Sequence, residues 1–165
     1  MSDPDQPPVV EGFWHVGVTV RDMDTALRFF CDGLGLRKLH EYENRDRGRE
    51  LVRVDFESMR VVYLEIPGSP VQGELQEYRG VERHSASAPP SDWGVGHFCL
   101  YVEDADAVHD RLHRLGFGTR GPVHEFPADS ERAGAKAVYT VSPEGYYVEV
   151  YQPSPRERED RLQSP

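Results

Sequence analysis

The sequence predicts an α+β fold made of two tandem βαβββ modules that form a curved mixed sheet around a cleft. Three observations carry that prediction. Setting His15 of GFWHVGVTV on His97 of GVGHFCLYV brings Val20 onto Val102, Asp22 onto Asp104 and Asp24 onto Asp106, so the chain repeats itself. Apolar residues recur at helical spacing behind each of these segments. Short alternating stretches suited to strands then complete each half. At 165 residues the chain is long enough to hold both halves around one sizeable core.

The elements follow in order. Residues 1–11 are proline-rich and polar and read as a mobile tail. The first module covers 12–79. Its opening strand alternates Phe13, His15, Gly17 and Thr19 with Trp14, Val16, Val18 and Val20, and the valine face must meet a helix. That helix follows in DMDTALRFFCDGLGL, with Met23, Ala26, Leu27, Phe30 and Leu34 on one stripe. Aspartate at its start is a good cap, and Gly33 or Gly35 closes it. Three strands come next, LRKLHEYE from 36, RVVYLEI from 60 and GELQEYR from 73. Residues 46–58 are an extra piece that the second half lacks, either a further strand or a lid.

Residues 80–93, with GVERHSASAPPSD, have the composition of a linker. The second module covers 94–152. Its helix, DADAVHDRLHRLGF, places Ala105, Val108, Leu112 and Leu115 on one stripe and ends at Gly116. Its later strands are GTRGPVHEF from 118, KAVYTVS from 136 and YYVEVYQ from 146. Residues 153–165, charged and proline-rich, read as a second mobile tail.

Composition narrows the function. Lys and Arg number 19 against 29 Asp and Glu, a net charge of −10, and such a surface repels phosphate backbones and anionic membranes. Nucleic acid is therefore not an expected partner. No apolar run approaches the length of a membrane span, and MSDPDQPPVV lacks the basic and apolar regions of a signal peptide, so a cytoplasmic protein is expected. Two cysteines, Cys31 and Cys99, are too few for a disulfide framework and sit among apolar residues.

The repeated histidines are the informative feature. Alternation puts His15 opposite the valine face of its strand, and it separates His97, with Val95, Cys99 and Tyr101, from Leu100 and Val102. The closing strands behave likewise. Glu149 alternates with Tyr147 and Tyr151 against Val148 and Val150, and Glu74 alternates with Gln76 and Tyr78 against Leu75. A mid-strand carboxylate in an apolar segment is costly to bury unpaired. Each half thus offers one early histidine and one late glutamate, and pseudo-twofold packing would bring all four to one point. Two imidazoles and two carboxylates suit a borderline divalent cation. If the strand of Glu74 is shifted, Gln72, Gln76 or Glu77 takes its place.

With those residues in view, HVGVTVRDMDTALRFFCDGLGL, GELQEY, GHFCLYVEDADAVHDRLHRLGF and SPEGYYVEVYQ resemble the vicinal oxygen chelate superfamily, which includes glyoxalase I, methylmalonyl-CoA epimerase, extradiol dioxygenases and bleomycin-resistance proteins. The resemblance spans residues 12–152. It implies paired βαβββ modules around a metal cleft, ligands at His15, Glu74, His97 and Glu149, and a homodimer. It also implies Zn, Ni, Co, Mn or Fe(II) as the metal.

A cation held by four protein groups keeps positions open for adjacent oxygens of a small-molecule substrate and polarises them. Removal of a proton next to a carbonyl then becomes easier, because charge develops beside the cation. The resemblance implies a metal-bound glutamate as the base, Glu149 first and Glu74 second, in a lyase or isomerase of glyoxalase or epimerase type. Glu50 resembles the separate base of the epimerases but is out of register. An Fe(II) extradiol dioxygenase is the alternative. It shares Tyr139 ahead of Glu149, yet Glu131 and Arg132 stand where such enzymes carry a histidine, and His124 lies too far upstream. The other alternative, a metal-free drug-sequestering protein, would not keep a full ligand set.

Arg49, Arg53, Arg120 and Arg132 could border the cleft and pair with a substrate carboxylate or phosphate. His40, His84, His109, His113 and His124 have no repeated partner. His109 and His113 stand one helical turn apart, a metal-capable spacing on a face that should be exposed.

Overall fold

The computed structural model describes residues 10–45, 47–84 and 88–163. The expected first tail lies outside the described residues up to position 9, as do Asp46 and positions 85–87 of the expected linker.

In the first module β1 (His15–Val20) leads into α1 (Met23–Leu27), which widens into a π-helical turn over Arg28–Gly33. Asp22 is extended and accepts a hydrogen bond from the Thr25 N–H at 2.7 Å, which starts the helix. β2 (Arg37–Asn44), α2 (Arg47–Val52), β3 (Ser58–Glu65) and β4 (Gln72–Arg79) follow. In the second module β5 (His97–Tyr101) leads into α3 (Ala105–Arg114), capped by Asp104 on the Ala107 N–H at 3.0 Å. Then come β6 (Gly118–Thr119), β7 (His124–Glu125), β8 (Lys136–Val141), β9 (Tyr147–Gln152) and α4 (Pro155–Gln163). Gly35 and Gly116 close the two helical segments at φ of 83° and 85°, a conformation that a side chain would strain.

Each module makes its own mixed sheet. The orders are β1-β4-β3-β2 and β5-β9-β8-β6, with β7 also on β8. β1 runs parallel to β4 and β5 parallel to β9, while the remaining pairs are antiparallel. The two halves therefore share one topology, with the single strand β2 replaced by the two short pieces β6 and β7.

The helical segments meet between the sheets. Val18, Val20, Met23, Phe29, Phe30 and Leu75 of the first half form one apolar cluster with Leu100, Leu112 and Val148 of the second. Phe29 packs edge-on to Phe117 at 5.3 Å and Phe30 stacks with Phe98 at 6.5 Å. At the closest approach a Cβ on Gly33 would lie 2.5 Å from Leu112 Cδ2. The valine face of β1 is buried as its alternation requires, with Val20 1 % exposed.

Two stretches hold helices that the sequence did not predict. Between β2 and β3 lies α2 rather than a further strand, after which Arg53 adopts φ of 55° and the chain turns into β3. The second expected tail carries α4. Ser154 and Glu157 cap it reciprocally: Glu157 N–H donates to Ser154 Oγ at 3.2 Å, and Ser154 N–H donates to Glu157 Oε2 at 2.8 Å. Tyr151 Oη also donates to Glu157 Oε1 at 2.9 Å, which ties α4 to β9. Among the described residues, no helix is long and apolar enough to cross a membrane.

Candidate functional site

The strand registers decide which predicted residues meet. In the parallel β1–β4 pair Gly17 lies opposite Glu74, and His15, one pleat away on the same face, reaches over to the carboxylate. His15 Nε2 stands 3.4 Å from Glu74 Oε2. The second half repeats this. Cys99 lies opposite Glu149, and His97 Nε2 stands 3.3 Å from Glu149 Oε2.

The four side chains thus come together two by two, not all at one point. Among the described residues, no three His, Cys, Asp or Glu side chains form a single metal-binding group. The reason is topological: β1 and β5 each end their own sheet. The Gln72 N–H donates to the Trp14 carbonyl, so Trp14, Val16 and Val18 face β4, while His15, Gly17 and Thr19 turn their backbone groups to the open side. By the same alternation the Val102 N–H bonds to the Tyr151 carbonyl, and His97 and Cys99 turn to the open side of β5. Among the described residues, each half-site sits on the strand that ends its sheet.

The surroundings of the two pairs differ. Glu74 is 7 % exposed and both oxygens are tied, Oε1 by Tyr63 Oη at 2.7 Å and Oε2 by Gln76 Nε2 at 2.7 Å. Tyr78 Oη in turn donates to Gln76 Oε1 at 3.0 Å. Burial, followed by the adjacent Glu74 carboxylate, drives the Tyr63 hydroxyl well above its usual range, so it stays a donor. His15 Nδ1 is buried with no hydrogen-bond partner. Its ring is held instead by edge contacts to Trp14 at 4.8 Å and Tyr63 at 5.9 Å. His40 stacks on Tyr63 at 4.8 Å, which adds to this aromatic wall.

In the second pair the side chains are more open, Glu149 at 19 % and His97 at 41 % exposure against 9 % and 29 % for Glu74 and His15. Tyr139 Oη lies 3.1 Å from His97 Nε2. Burial and the nearby Glu149 push the Cys99 thiol up to about 12, so it stays protonated. A cleft of about 760 Å³ runs along β5 past His97 and Cys99 and is walled by Phe13, Leu36 and Ile66.

The donor sets fit a divalent cation. Two N or O ligands, each about 2.1 Å from one ion, stand about 3.0 to 3.4 Å apart. Both His–Glu separations fall in or near that span and are too long for a strong hydrogen bond. His15 with Glu74 and His97 with Glu149 would each supply half of a coordination sphere.

The other candidates lie elsewhere. Glu77 pairs with Arg79 at 3.6 Å, and Gln72 sits beside His15 in the ladder without replacing Glu74. Glu50 is exposed on α2. Arg49 donates to the Phe56 carbonyl, Arg120 sits over the Tyr147 ring, and Arg132 lies over both Phe126 and Tyr151. Sequence reasoning missed Tyr63. Its signal was available: Tyr63 and Tyr139 hold equivalent places ahead of Glu74 and Glu149.

The duplicated βαβββ architecture, with a His–Glu pair on the first and last strand of each half, defines a class of proteins built by repetition of one module. Over residues 12–150 the chain matches the Glyoxalase/Bleomycin resistance protein/Dioxygenase superfamily, and it belongs to that family. It is 29% identical over 141 residues to a 2-epi-5-epi-valiolone epimerase of Actinomyces sp., covering 82% of this chain and 76% of the relative. It is 26% identical over 142 residues to a probable lactoylglutathione lyase of Synechocystis sp., covering 85% and 94%. Its fold is like that of a glyoxalase family protein from Bacillus cereus, with a TM-score of 0.74, 19% identity and coverage of 93% and 99%.

Proposed function

We propose that this chain is a divalent-metal-dependent lyase or isomerase of glyoxalase or epimerase type, which binds adjacent oxygens of a small substrate and moves a proton next to a carbonyl. The observation that carries this reading is the pair of matched His–Glu sets at ligand-like separation. Relatives named as an epimerase and a lyase support the same chemistry. Zn, Ni, Co, Mn or Fe(II) would suit His15, Glu74, His97 and Glu149.

The protein works as a cytoplasmic homodimer in this reading. Both half-sites lie on strands that end their sheets, and backbone groups there face outward. Pairing β1 of one copy with β5 of another would satisfy those groups and join His15 and Glu74 to His97 and Glu149 of the second copy. A twofold axis then makes two such centres.

A bound cation would polarise the substrate oxygens as a Lewis acid. Glu149 is the base: it is the more exposed carboxylate, and its Oε atoms take the proton from the carbon next to the carbonyl. Glu74 stays a fixed carboxylate, because Tyr63 and Gln76 occupy both of its oxygens. The apolar cleft beside β5 holds the rest of the substrate and excludes water.

Elemental analysis together with solvent-deuterium exchange tests the reading. Purified protein should carry one divalent ion per chain at this centre, and His97→Ala should lose that ion. Metallated wild type should place deuterium at the acidic carbon of 2-hydroxycarbonyl or 2-methylacyl substrates, and Glu149→Gln should not. A chain with no metal would point to sequestration, and iron with oxygen uptake on catechols to ring cleavage.

A further inference from the structure

α3 carries a second group of donor atoms that the reading above does not use. His109 and His113 lie one turn apart on the helix, and their Nε2 atoms converge to 3.2 Å with ring centroids 4.4 Å apart. Thr119 on β6 brings its Oγ1 to 3.3 Å from His113 Nε2. The helix covers the Val138 and Val150 face of the second sheet, the face opposite Tyr139 and Glu149. The thickness of a sheet therefore separates this group from the His97–Glu149 pair.

The hydrogen bonds around the group show which atoms offer lone pairs. The Thr119 hydroxyl donates to the Gly121 carbonyl at 2.9 Å, so toward His113 its oxygen offers only lone pairs. Asp110 Oδ1 lies 3.5 Å from His109 Nδ1 and favours the proton on that nitrogen, which leaves His109 Nε2 as a lone pair too. With the proton of His113 on Nε2, it is shared between His109 Nε2 and Thr119 Oγ1. With that proton on Nδ1, three electron-pair donors face one small space, and a cation can take the place of the shared proton. The 3.2 Å gap equals the separation of two imidazole nitrogens about 2.1 Å from one ion, and a carboxylate behind a ligating histidine is the usual outer support.

We infer that His109, His113 and Thr119 form a separate binding site for an imidazole-preferring divalent ion, Zn²⁺ with water in the remaining position, which staples α3 to β6. Paired histidines on one helical face are suited to Zn²⁺, Ni²⁺ and Cu²⁺. The site is independent of the proposed catalytic centre, and its test is arranged to keep the two apart.

The test is Zn²⁺ titration of the full chain by calorimetry in a His15→Ala/His97→Ala background, which disables the proposed catalytic centre. One equivalent of Zn²⁺ should still bind. Adding His113→Ala should weaken that binding about tenfold or more, and adding Thr119→Val should weaken it less. In the unaltered chain, Cu²⁺ added beyond the first equivalent per chain should broaden the ring-proton resonances of His109 and His113 and the Thr119 methyl signal, a readout that does not depend on the double variant folding. The inference is overturned if the background chain binds no Zn²⁺, if His113→Ala leaves the affinity unchanged, or if Cu²⁺ leaves those resonances sharp.

Discussion

Tyr63 and Tyr139 stand at the same place in the two halves, each across the ladder from the glutamate of its own pair, Tyr63 from Glu74 and Tyr139 from Glu149. They are used differently. Tyr63 donates to Glu74 Oε1 at 2.7 Å, whereas Tyr139 Oη sits 3.1 Å from His97 Nε2. One half holds its carboxylate firmly, and the other steadies its imidazole.

Removing the two hydroxyls should therefore have unequal effects. Tyr63→Phe leaves a buried carboxylate one donor short and should cost about 1–3 kcal/mol, while Tyr139→Phe at a more open position should cost about 0.5–1.5 kcal/mol. Urea unfolding of both variants without metal measures this. Equal losses would count against the distinction between a tied and an open half.

If each centre is built from two copies, defective chains should rescue one another. A mixture of His15→Ala and His97→Ala chains, unfolded and refolded together, contains mixed dimers with one intact centre each, so about one quarter of the wild-type activity, and of the metal held at that centre, should return. Centres within single chains would give no recovery. Sedimentation of the same mixture reports whether dimers form at all.

The contact between Gly33 and Leu112 joins the helical segments of the two modules. Gly33→Ala forces a methyl to within 2.5 Å of a fully buried leucine and should cost about 1–3 kcal/mol. In a Leu112→Ala background most of that cost should vanish, since the space is then free. A double-mutant cycle by thermal melting checks it, and additive losses would mean that the strain lies elsewhere.

Acid should weaken one surface network in a defined window. Arg60 at 2.6 Å, with Lys38, holds the Glu41 carboxyl down to about 2 from its usual 4.5. A depressed carboxyl stabilises the fold fully above its usual value, and that contribution fades as pH falls toward the lower one. The melting-temperature gap between wild type and Glu41→Gln should stay flat at neutral pH and close between about pH 4.5 and 2. A gap that persists at the acid end would assign the effect to packing.

Much of the fold was legible because the chain states its pattern twice. Asp22 and Asp104 cap helices where the repeat aligns them, and alternation put His15, Glu74, His97 and Glu149 on matching strand faces. That pattern also picked out one histidine and one glutamate in each half, since strand parity is a local property. The expected meeting of all four at one point does not occur within the chain, because it depends on which sheet edges adjoin, and β1 and β5 end separate sheets. α4 was missed although Ser154-Pro155-Arg156-Glu157 is a capping box with proline in the first turn, since high charge was read as a tail. α2 was missed because its six residues carry no apolar stripe long enough to register.

The clamp of Glu157 on Tyr151 has a practical consequence. The strand bearing Glu149 takes its last fixed point from a helix beyond the duplicated part of the chain. Trimming the protein at Gln152, where the repeat ends and a designer of a minimal version would cut, strips the phenol of its acceptor. β9 would then fray inward from its tip, and the damage would surface two residues away at the carboxylate assigned to proton transfer, in a protein that still melted as a folded whole.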